Sequence, residues 1–196
     1  TGTVDPLGLV DTALDAANGH DGLVLVDQAY GQFATHSALD LVDEDRSLVV
    51  TRTFSKTWAM AAVRLGYLVG PTWLVSELEK VVLPYHLDSM TQVAGEIALR
   101  YVEEMDERVA LLIEERQRLS RAMADLDLDV FPSGANFILI RPQHHDGDVV
   151  WQSLLDRSVL VRNCSSWPRL ANCLRVTIGT ETENTRFLIA LQEVLS

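Results

Sequence analysis

Short apolar runs alternate along the chain with segments that have helical or turn character. Residues 22–27 form a continuous apolar run that ends in an acid, which predicts a strand buried on both faces of a parallel sheet. Residues 47–51 predict a second such strand, and residues 64–70 a third. Before these strands, Asp5 can cap a helix that has Pro6 in its first turn and runs to about Ala17. Strands and helices in this order predict an α/β fold.

A different pattern begins at residue 92. Apolar residues recur at helical spacing to about residue 126, which predicts one very long helix or two nearly continuous helices that bridge two domains. Thr180 and Glu183 form a capping box for a last helix. Between these features the pattern predicts strands at 128–131, 135–140, 159–162 and 173–178, and a helix at 148–157. This part of the chain predicts a small α+β unit.

Composition and charge exclude several classes of partner. The 196 residues are 47% hydrophobic and 22% charged, as in ordinary globular proteins. A net charge of −12 would be repelled by nucleic acid and by anionic membranes, so neither is an expected partner. Cys164 and Cys173 have neither CxxC nor disulfide-framework spacing, and we interpret them as free thiols in a reducing cytoplasm. The histidines lack the spacing of a metal site.

The candidate chemistry lies where the predicted strands end. The strand at 47–51 leads into Thr51-Arg-Thr-Phe-Ser-Lys56, with Arg64 eight residues beyond the lysine. A lysine that forms an imine acts through its free amine, and hydroxyls with an arginine suit a phosphate. Asp27 ends the preceding strand, at the sheet edge where ligands bind in open α/β folds, and Tyr30 follows it. The alternative interpretations are a surface lysine beside a serine and an acid that caps a loop.

These residue types fit the requirements of pyridoxal phosphate chemistry. A carboxylate such as Asp27 would keep the pyridine nitrogen protonated, and a phenol such as Tyr30 would contact the 3-oxygen of the ring. Lys56 would carry the cofactor and shuttle the substrate proton, while hydroxyls and Arg64 would hold the phosphate. The sequence therefore predicts pyridoxal 5′-phosphate as the cofactor and no metal.

Six motifs in the same order resemble the histidinol-phosphate aminotransferase family, which has the aspartate aminotransferase fold. They are Thr1-Gly-Thr3, Val26-Asp-Gln-Ala-Tyr30, Arg52-Thr-Phe-Ser-Lys56, Arg64-Leu-Gly-Tyr67, Ser133-Gly-Ala-Asn-Phe137 and Asn172-Cys-Leu-Arg-Val-Thr-Ile-Gly-Thr180. The resemblance implies the remainder of a large cofactor-binding domain with a mainly parallel sheet at 1–90. It also implies an interdomain helix region at 91–111 and a small C-terminal α+β domain at 112–196.

The resemblance implies a role for each candidate residue of the cofactor site. Lys56 would be the catalytic Schiff-base lysine, Asp27 the partner of the pyridinium nitrogen and Tyr30 a donor to the 3-oxygen. The cofactor-binding set would be Asp27, Tyr30, Thr53, Ser55, Lys56 and Arg64. The family usually has Glu or Pro where this chain has Gln28, a difference that we expect to be tolerated.

For the substrate, the resemblance points to the small domain. Arg175 matches the family's arginine for the substrate carboxylate or polar tail, and Arg162 matches the position that faces the substrate phosphate. Asn136 would line the site. The alternatives are surface ion pairs for the two arginines and a hydrogen bond within its turn for Asn136.

The implied reaction is transamination between histidinol phosphate and 2-oxoglutarate in histidine biosynthesis, by a cytoplasmic homodimer. The family's glycine-rich phosphate turn, stacking aromatic residue, asparagine and partner-subunit tyrosine are missing, so we expect a chain that lacks its N-terminal portion. The alternatives are an aromatic amino-acid aminotransferase, a threonine-phosphate decarboxylase, or a truncated fragment without activity.

Overall fold

The computed structural model describes residues 2–20 and 22–196. Thr1, which begins the first predicted motif, lies outside the described residues. The chain divides into two compact units, one of residues 5–109 and one that combines 2–4 with 110–196. The functional domains predicted from the sequence stay a prediction.

The 5–109 unit is built around a three-stranded sheet. Its elements are α1 (Leu7–Asn18), β1 (Val24–Asp27), β2 (Leu48–Thr53), β3 (Gly66–Val69), α2 (Thr72–Glu79), α3 (Ser89–Ala98) and the first part of α4 (Val102–Met123). β2 lies between β1, which is parallel to it, and β3, which is antiparallel. Leu48 and Val50 of this central strand are fully buried and pack with Leu14 of α1.

The prediction that the first strand is buried on both faces is wrong. Burial alternates along β1, and Leu25 is 60% exposed, whereas Val26 packs against the core beneath α1. A continuous apolar run fits two-sided burial, but the described part of the chain covers only one side of β1. The Asp5 cap is also wrong, because α1 begins after Pro6 without a side-chain cap.

The region after residue 88 was predicted to form either one very long helix or two nearly continuous helices, and the structure has the second arrangement. α3 and α4 are separated only by the 3₁₀ turn Leu99–Tyr101 and are therefore nearly continuous. Asp88 caps α3 by accepting a hydrogen bond from the Thr91 amide at 3.0 Å. In the parts of the chain that the structure describes, no helix combines the length and the apolar character needed to span a membrane.

The 110–196 unit contains an antiparallel sheet. Its strands are β4 (Leu128–Val130), β5 (Phe137–Pro142), β6 (Arg162–Asn163) and β7 (Leu174–Thr177), in the order β4-β5-β7-β6. The remaining helices are α5 (Gly147–Asp156) and α6 (Glu181–Leu195). One sheet face packs against the helices through residues such as Ile138, Leu154 and Leu191. The capping box of Thr180 and Glu183 at α6 is confirmed.

The predicted strand at 159–162 is wrong except at its last residue, because β6 begins at Arg162. Residues just before it close the end of α5 instead: Ser158 has a positive φ of 58° and the Val159 amide donates to the Leu154 carbonyl. Cys164 and Cys173 are free thiols, as predicted, and both are buried.

Candidate active site

The candidate cofactor residues lie at the ends of β1 and β2. The two strands are parallel, with Asp27 opposite Thr51, so their carboxyl ends meet at one edge of the sheet. The amide of Gln28 still donates to the Thr51 carbonyl at 2.9 Å, which holds the chain after β1 beside β2. The turns that follow the two strands are therefore neighbours.

The structure brings Lys56 and Tyr30 together. The Lys56 Nζ atom lies 5.1 Å from the centroid of the Tyr30 ring, a distance at which a cation is attracted to an aromatic face. Within residues 2–20 and 22–196, the Lys56 ammonium group has no hydrogen bond or ion pair. Its side chain is half-buried and stands beside an aromatic surface rather than a carboxylate.

Asp27 is exposed at the end of β1, and its orientation is fixed from one side only. Its Oδ1 atom accepts a hydrogen bond from the Ala29 amide at 2.9 Å. Its Oδ2 atom has no partner among the described residues. This arrangement orients the carboxylate and leaves one oxygen for a cationic ligand group.

Thr53, Ser55 and Arg64 form a second group next to the lysine. Arg64 Nη1 donates to Ser55 Oγ at 3.4 Å and to the Ala61 carbonyl at 2.9 Å. Thr53 Oγ1 accepts from the Ser55 amide at 3.0 Å and donates to the Leu65 carbonyl at 3.3 Å. The Thr53 hydroxyl proton is therefore engaged with the backbone, so Thr53 organises the turn.

Donor chemistry at this edge of the sheet fits pyridoxal 5′-phosphate. Arg64 and Lys56 form no ion pair with a described acid, and Ser55, whose hydroxyl accepts from Arg64, directly precedes Lys56 in sequence. An arginine and hydroxyls without a carboxylate partner suit a phosphate group. The free Asp27 oxygen suits a protonated ring nitrogen. The residues present therefore fit the group.

A supporting network beside Asp27 was not found by sequence reasoning. Arg52 Nη2 donates to Ser37 Oγ at 2.9 Å and to Gln28 Oε1 at 3.3 Å, and Ser37 Oγ donates to Gln28 Oε1 at 2.9 Å. The network ties the residue after Asp27 to β2. It involves Gln28, the residue that departs from the family pattern, as a neutral acceptor for Arg52. No motif marks Ser37, which lies nine residues from Gln28.

The predicted substrate residues Arg162 and Arg175 lie opposite each other on β6 and β7. The guanidinium carbon of Arg162 is 5.8 Å from the Trp167 ring centroid, and that of Arg175 is 5.0 Å from the Phe137 ring centroid. Neither arginine forms an ion pair with a described residue, and Arg175 Nε is buried without a hydrogen-bond partner in the described structure. Both cations are thus held by aromatic faces rather than by acids.

The positive charges of Arg162 and Arg175 act on the pKa of the Cys164 thiol. Burial raises the pKa of its thiol, while Arg175 and Arg162 act in the opposite direction. The raised pKa keeps this cysteine a neutral, packed thiol.

Asn136 directly precedes β5, where its carbonyl accepts a hydrogen bond from the Ile178 amide at 2.9 Å. Its half-buried side chain makes no hydrogen bond within the described ranges. Asn136, Arg162 and Arg175 belong to the 110–196 unit, whereas the cofactor residues belong to the 5–109 unit. The predicted site residues therefore form two groups, one in each unit.

The chain belongs to the aminotransferase class I and II family, whose model matches residues 1–191. It is similar to histidinol-phosphate aminotransferase 2 of Nitrosococcus oceani, with 42% identity over 174 residues that make up 87% of this chain and 48% of the relative. The chain spans about half the length of the curated relatives it matches. The predicted resemblance to histidinol-phosphate aminotransferases is confirmed.

Solved structures confirm the predicted fold. The histidinol-phosphate aminotransferase of Clostridium acetobutylicum has a TM-score of 0.89 at 23% identity, over 99% of this chain and 60% of that chain. The enzyme of Sinorhizobium meliloti, in complex with pyridoxal-5′-phosphate, has a TM-score of 0.82 at 24% identity, over 100% of this chain and 54% of that chain. Family membership and this complex support pyridoxal 5′-phosphate as the cofactor.

Proposed function

We propose that the protein is a pyridoxal-phosphate-dependent aminotransferase that acts on histidinol phosphate and 2-oxoglutarate. The observation that carries the proposal is the Lys56 ammonium group over the Tyr30 ring, at the strand edge that also holds Asp27. Lysine, phenol and carboxylate in this arrangement are the groups that pyridoxal phosphate chemistry requires.

The cofactor residues have separate roles in this proposal. The free Asp27 oxygen would pair with the ring nitrogen, and the Tyr30 hydroxyl would donate to the 3-oxygen. Thr53, Ser55 and Arg64 would hold the phosphate. When bound, pyridoxal phosphate supplies an electron sink for the electrons of the substrate Cα–H bond.

Lys56 would take the substrate α-proton at Nζ as a general base and return it at the next step. The absence of a carboxylate near Nζ among the described residues supports this role, because a close ion pair would hold the amine in its protonated form. The Tyr30 ring keeps the Lys56 side chain beside the site.

Arg162 would bind the phosphate end of the substrate and Arg175 its carboxylate or polar tail, and Asn136 would line the same site. Two aligned arginines without acid partners favour a phosphate-bearing substrate, and the similarity to histidinol-phosphate aminotransferases supports histidinol phosphate. In this proposal residues 1–90 belong to a cofactor-binding domain, 91–111 to an interdomain helix and 112–196 to a substrate-binding small domain. The enzyme would act as a cytoplasmic homodimer.

Glutamate formation in the presence of pyridoxal phosphate and 2-oxoglutarate tests the substrate. We expect turnover with histidinol phosphate and a selective loss of that activity in Arg162→Ala. The matched control is Arg121→Ala, which removes an exposed arginine of α4.

The three alternative outcomes have separate meanings. A preference for phenylalanine would favour an aromatic aminotransferase, and release of carbon dioxide from threonine phosphate would favour a decarboxylase. Cofactor attachment at Lys56 without turnover of any substrate would contradict the proposal for this chain and identify it as an incomplete enzyme.

A further inference from the structure

Thr57, directly after the candidate catalytic lysine, is a buried polar residue. It is 2% exposed, although Lys56 beside it is only half-buried. Its Oγ1 atom donates to Gln32 Oε1 at 3.1 Å. Gln32 lies two residues after Tyr30, so this hydrogen bond joins the two segments that present Lys56 and Tyr30.

Each of the two segments is held by a backbone hydrogen bond within its own turn. Gln32 lies within the 3₁₀ turn Gly31–Phe33, where the Phe33 amide donates to the Tyr30 carbonyl at 3.0 Å. On the other side, the Ala59 amide donates to the Lys56 carbonyl at 3.2 Å. Thr57 and Gln32 therefore couple the position of one turn to that of the other.

Two residues of α4 also contact Thr57 and Gln32. Gln32 Nε2 approaches the Met105 sulfur at 3.9 Å, and Arg108 Nη1 donates to the Thr57 carbonyl at 3.4 Å. Met105 is buried, so the glutamine amide is anchored in the core of the 5–109 unit. The Thr57–Gln32 hydrogen bond is thus supported by two residues of α4.

We propose that Thr57 and Gln32 are positioning residues whose hydrogen bond holds the Lys56 Nζ atom at its place over the Tyr30 ring. The inference rests on the proposed function, because it assigns Lys56 and Tyr30 to the cofactor. The threonine hydroxyl is the decisive group. Valine has the same shape but cannot donate, so Thr57→Val would leave the Gln32 oxygen without its donor while preserving the packing.

The test compares Thr57→Val and Thr57→Ser with the wild-type chain, with Thr12→Val as the matched control. Thr12 is an exposed threonine of α1 whose hydroxyl donates to the Gly8 carbonyl. Two readouts follow pyridoxal phosphate, namely its affinity from visible absorbance and its induced visible circular dichroism. A third is amide hydrogen exchange of peptides covering residues 30–34 and 54–60 in the ligand-free protein.

We expect Thr57→Val to bind pyridoxal phosphate about tenfold more weakly, as for the loss of one buried hydrogen bond. We also expect a reduced circular dichroism band and faster exchange in both peptides. Thr57→Ser keeps the hydroxyl and should retain the wild-type band, and Thr12→Val should match the wild type throughout.

The results separate this inference from the proposed function. If the wild type binds the cofactor at Lys56 and Thr57→Val equals it in affinity, dichroism and exchange, the positioning role is wrong and the proposed function stands. If the wild type does not attach the cofactor at Lys56, both fail. If Thr57→Val does not fold, Gln32→Met removes the acceptor from the other side, and wild-type behaviour of that variant overturns the inference.

Discussion

Replacing Arg64 by glycine and by alanine should change the free energy of unfolding by different amounts. Both replacements should weaken the binding of pyridoxal phosphate to the same extent. The Arg64 backbone is left-handed, with φ 55° and ψ 38°, in the turn between the 3₁₀ segment Ala61–Val63 and β3. A residue with a Cβ atom pays about 1–2 kcal/mol in this conformation. Glycine avoids that strain, but its freedom in the unfolded chain offsets about 0.5–1 kcal/mol.

The magnitudes follow from the two opposing terms. We expect Arg64→Gly to have a free energy of unfolding about 0.5–1 kcal/mol above that of Arg64→Ala. Both variants lose the guanidinium beside Ser55. A hydrogen bond to a charged group is worth about 1.5–3 kcal/mol, so both should bind pyridoxal phosphate roughly 10- to 150-fold more weakly.

Urea unfolding of the ligand-free variants measures the first effect, and titration with pyridoxal phosphate measures the second. Equal unfolding midpoints for the alanine and glycine variants would refute the strain at this turn. Wild-type cofactor affinity in both variants would refute the role of Arg64 in holding the phosphate. Because the two readouts are independent, each part of the reasoning can fail alone.

Three further predictions concern the 110–196 unit. Thr180→Ala removes the α6 cap and should lower the free energy of unfolding by about 0.5–2 kcal/mol in urea titrations, with no loss in an exposed control such as Thr182→Ala. Ile138→Ala empties a fully buried core position and should cost about 2–5 kcal/mol, whereas a cost below 1 kcal/mol would contradict the packing. The hydrogen bond from Arg118 lowers the pKa of Glu115 in the folded protein. The ionised Glu115 therefore stabilises the fold fully above the ordinary carboxyl pKa, and this stabilisation is lost as the pH falls through the lowered pKa of the folded state. Unfolding midpoints of Glu115→Gln should therefore fall less steeply than those of the wild type on acidification, and parallel curves would contradict this linkage.

Local pattern predicted the elements that hold the cofactor residues. Apolar runs that end at Asp27 and at the turn before Lys56 predicted two strands, and the carboxyl-edge rule placed Asp27 at the edge where ligands bind. The structure confirms both strands, shows that they are adjacent, and brings Lys56 close to Tyr30. The assignment of these residues to pyridoxal phosphate stays a proposal.

Sequence alone could not reach features that depend on what lies against a segment. The composition of β1 does not show which of its faces is exposed, because Leu25 and Val26 are both apolar. The Thr57–Gln32 hydrogen bond joins residues 25 positions apart and has no motif. The left-handed backbone of Arg64 was also not predicted, since arginine rarely adopts it and a strand was expected to begin there.

Cofactor attachment tests the central claim most directly. The chain contains two lysines, Lys56 and Lys80, and Lys80 is an exposed residue paired with Glu77. The purified chain is incubated with pyridoxal phosphate, reduced with borohydride and digested, and the peptides are analysed by mass spectrometry.

We predict a pyridoxyl group on the Lys56 peptide, together with a visible absorbance band that Lys80→Ala retains and Lys56→Ala loses. Labelling of Lys80 to the same extent, or an unchanged band in Lys56→Ala, would contradict the assignment of Lys56 as the cofactor lysine.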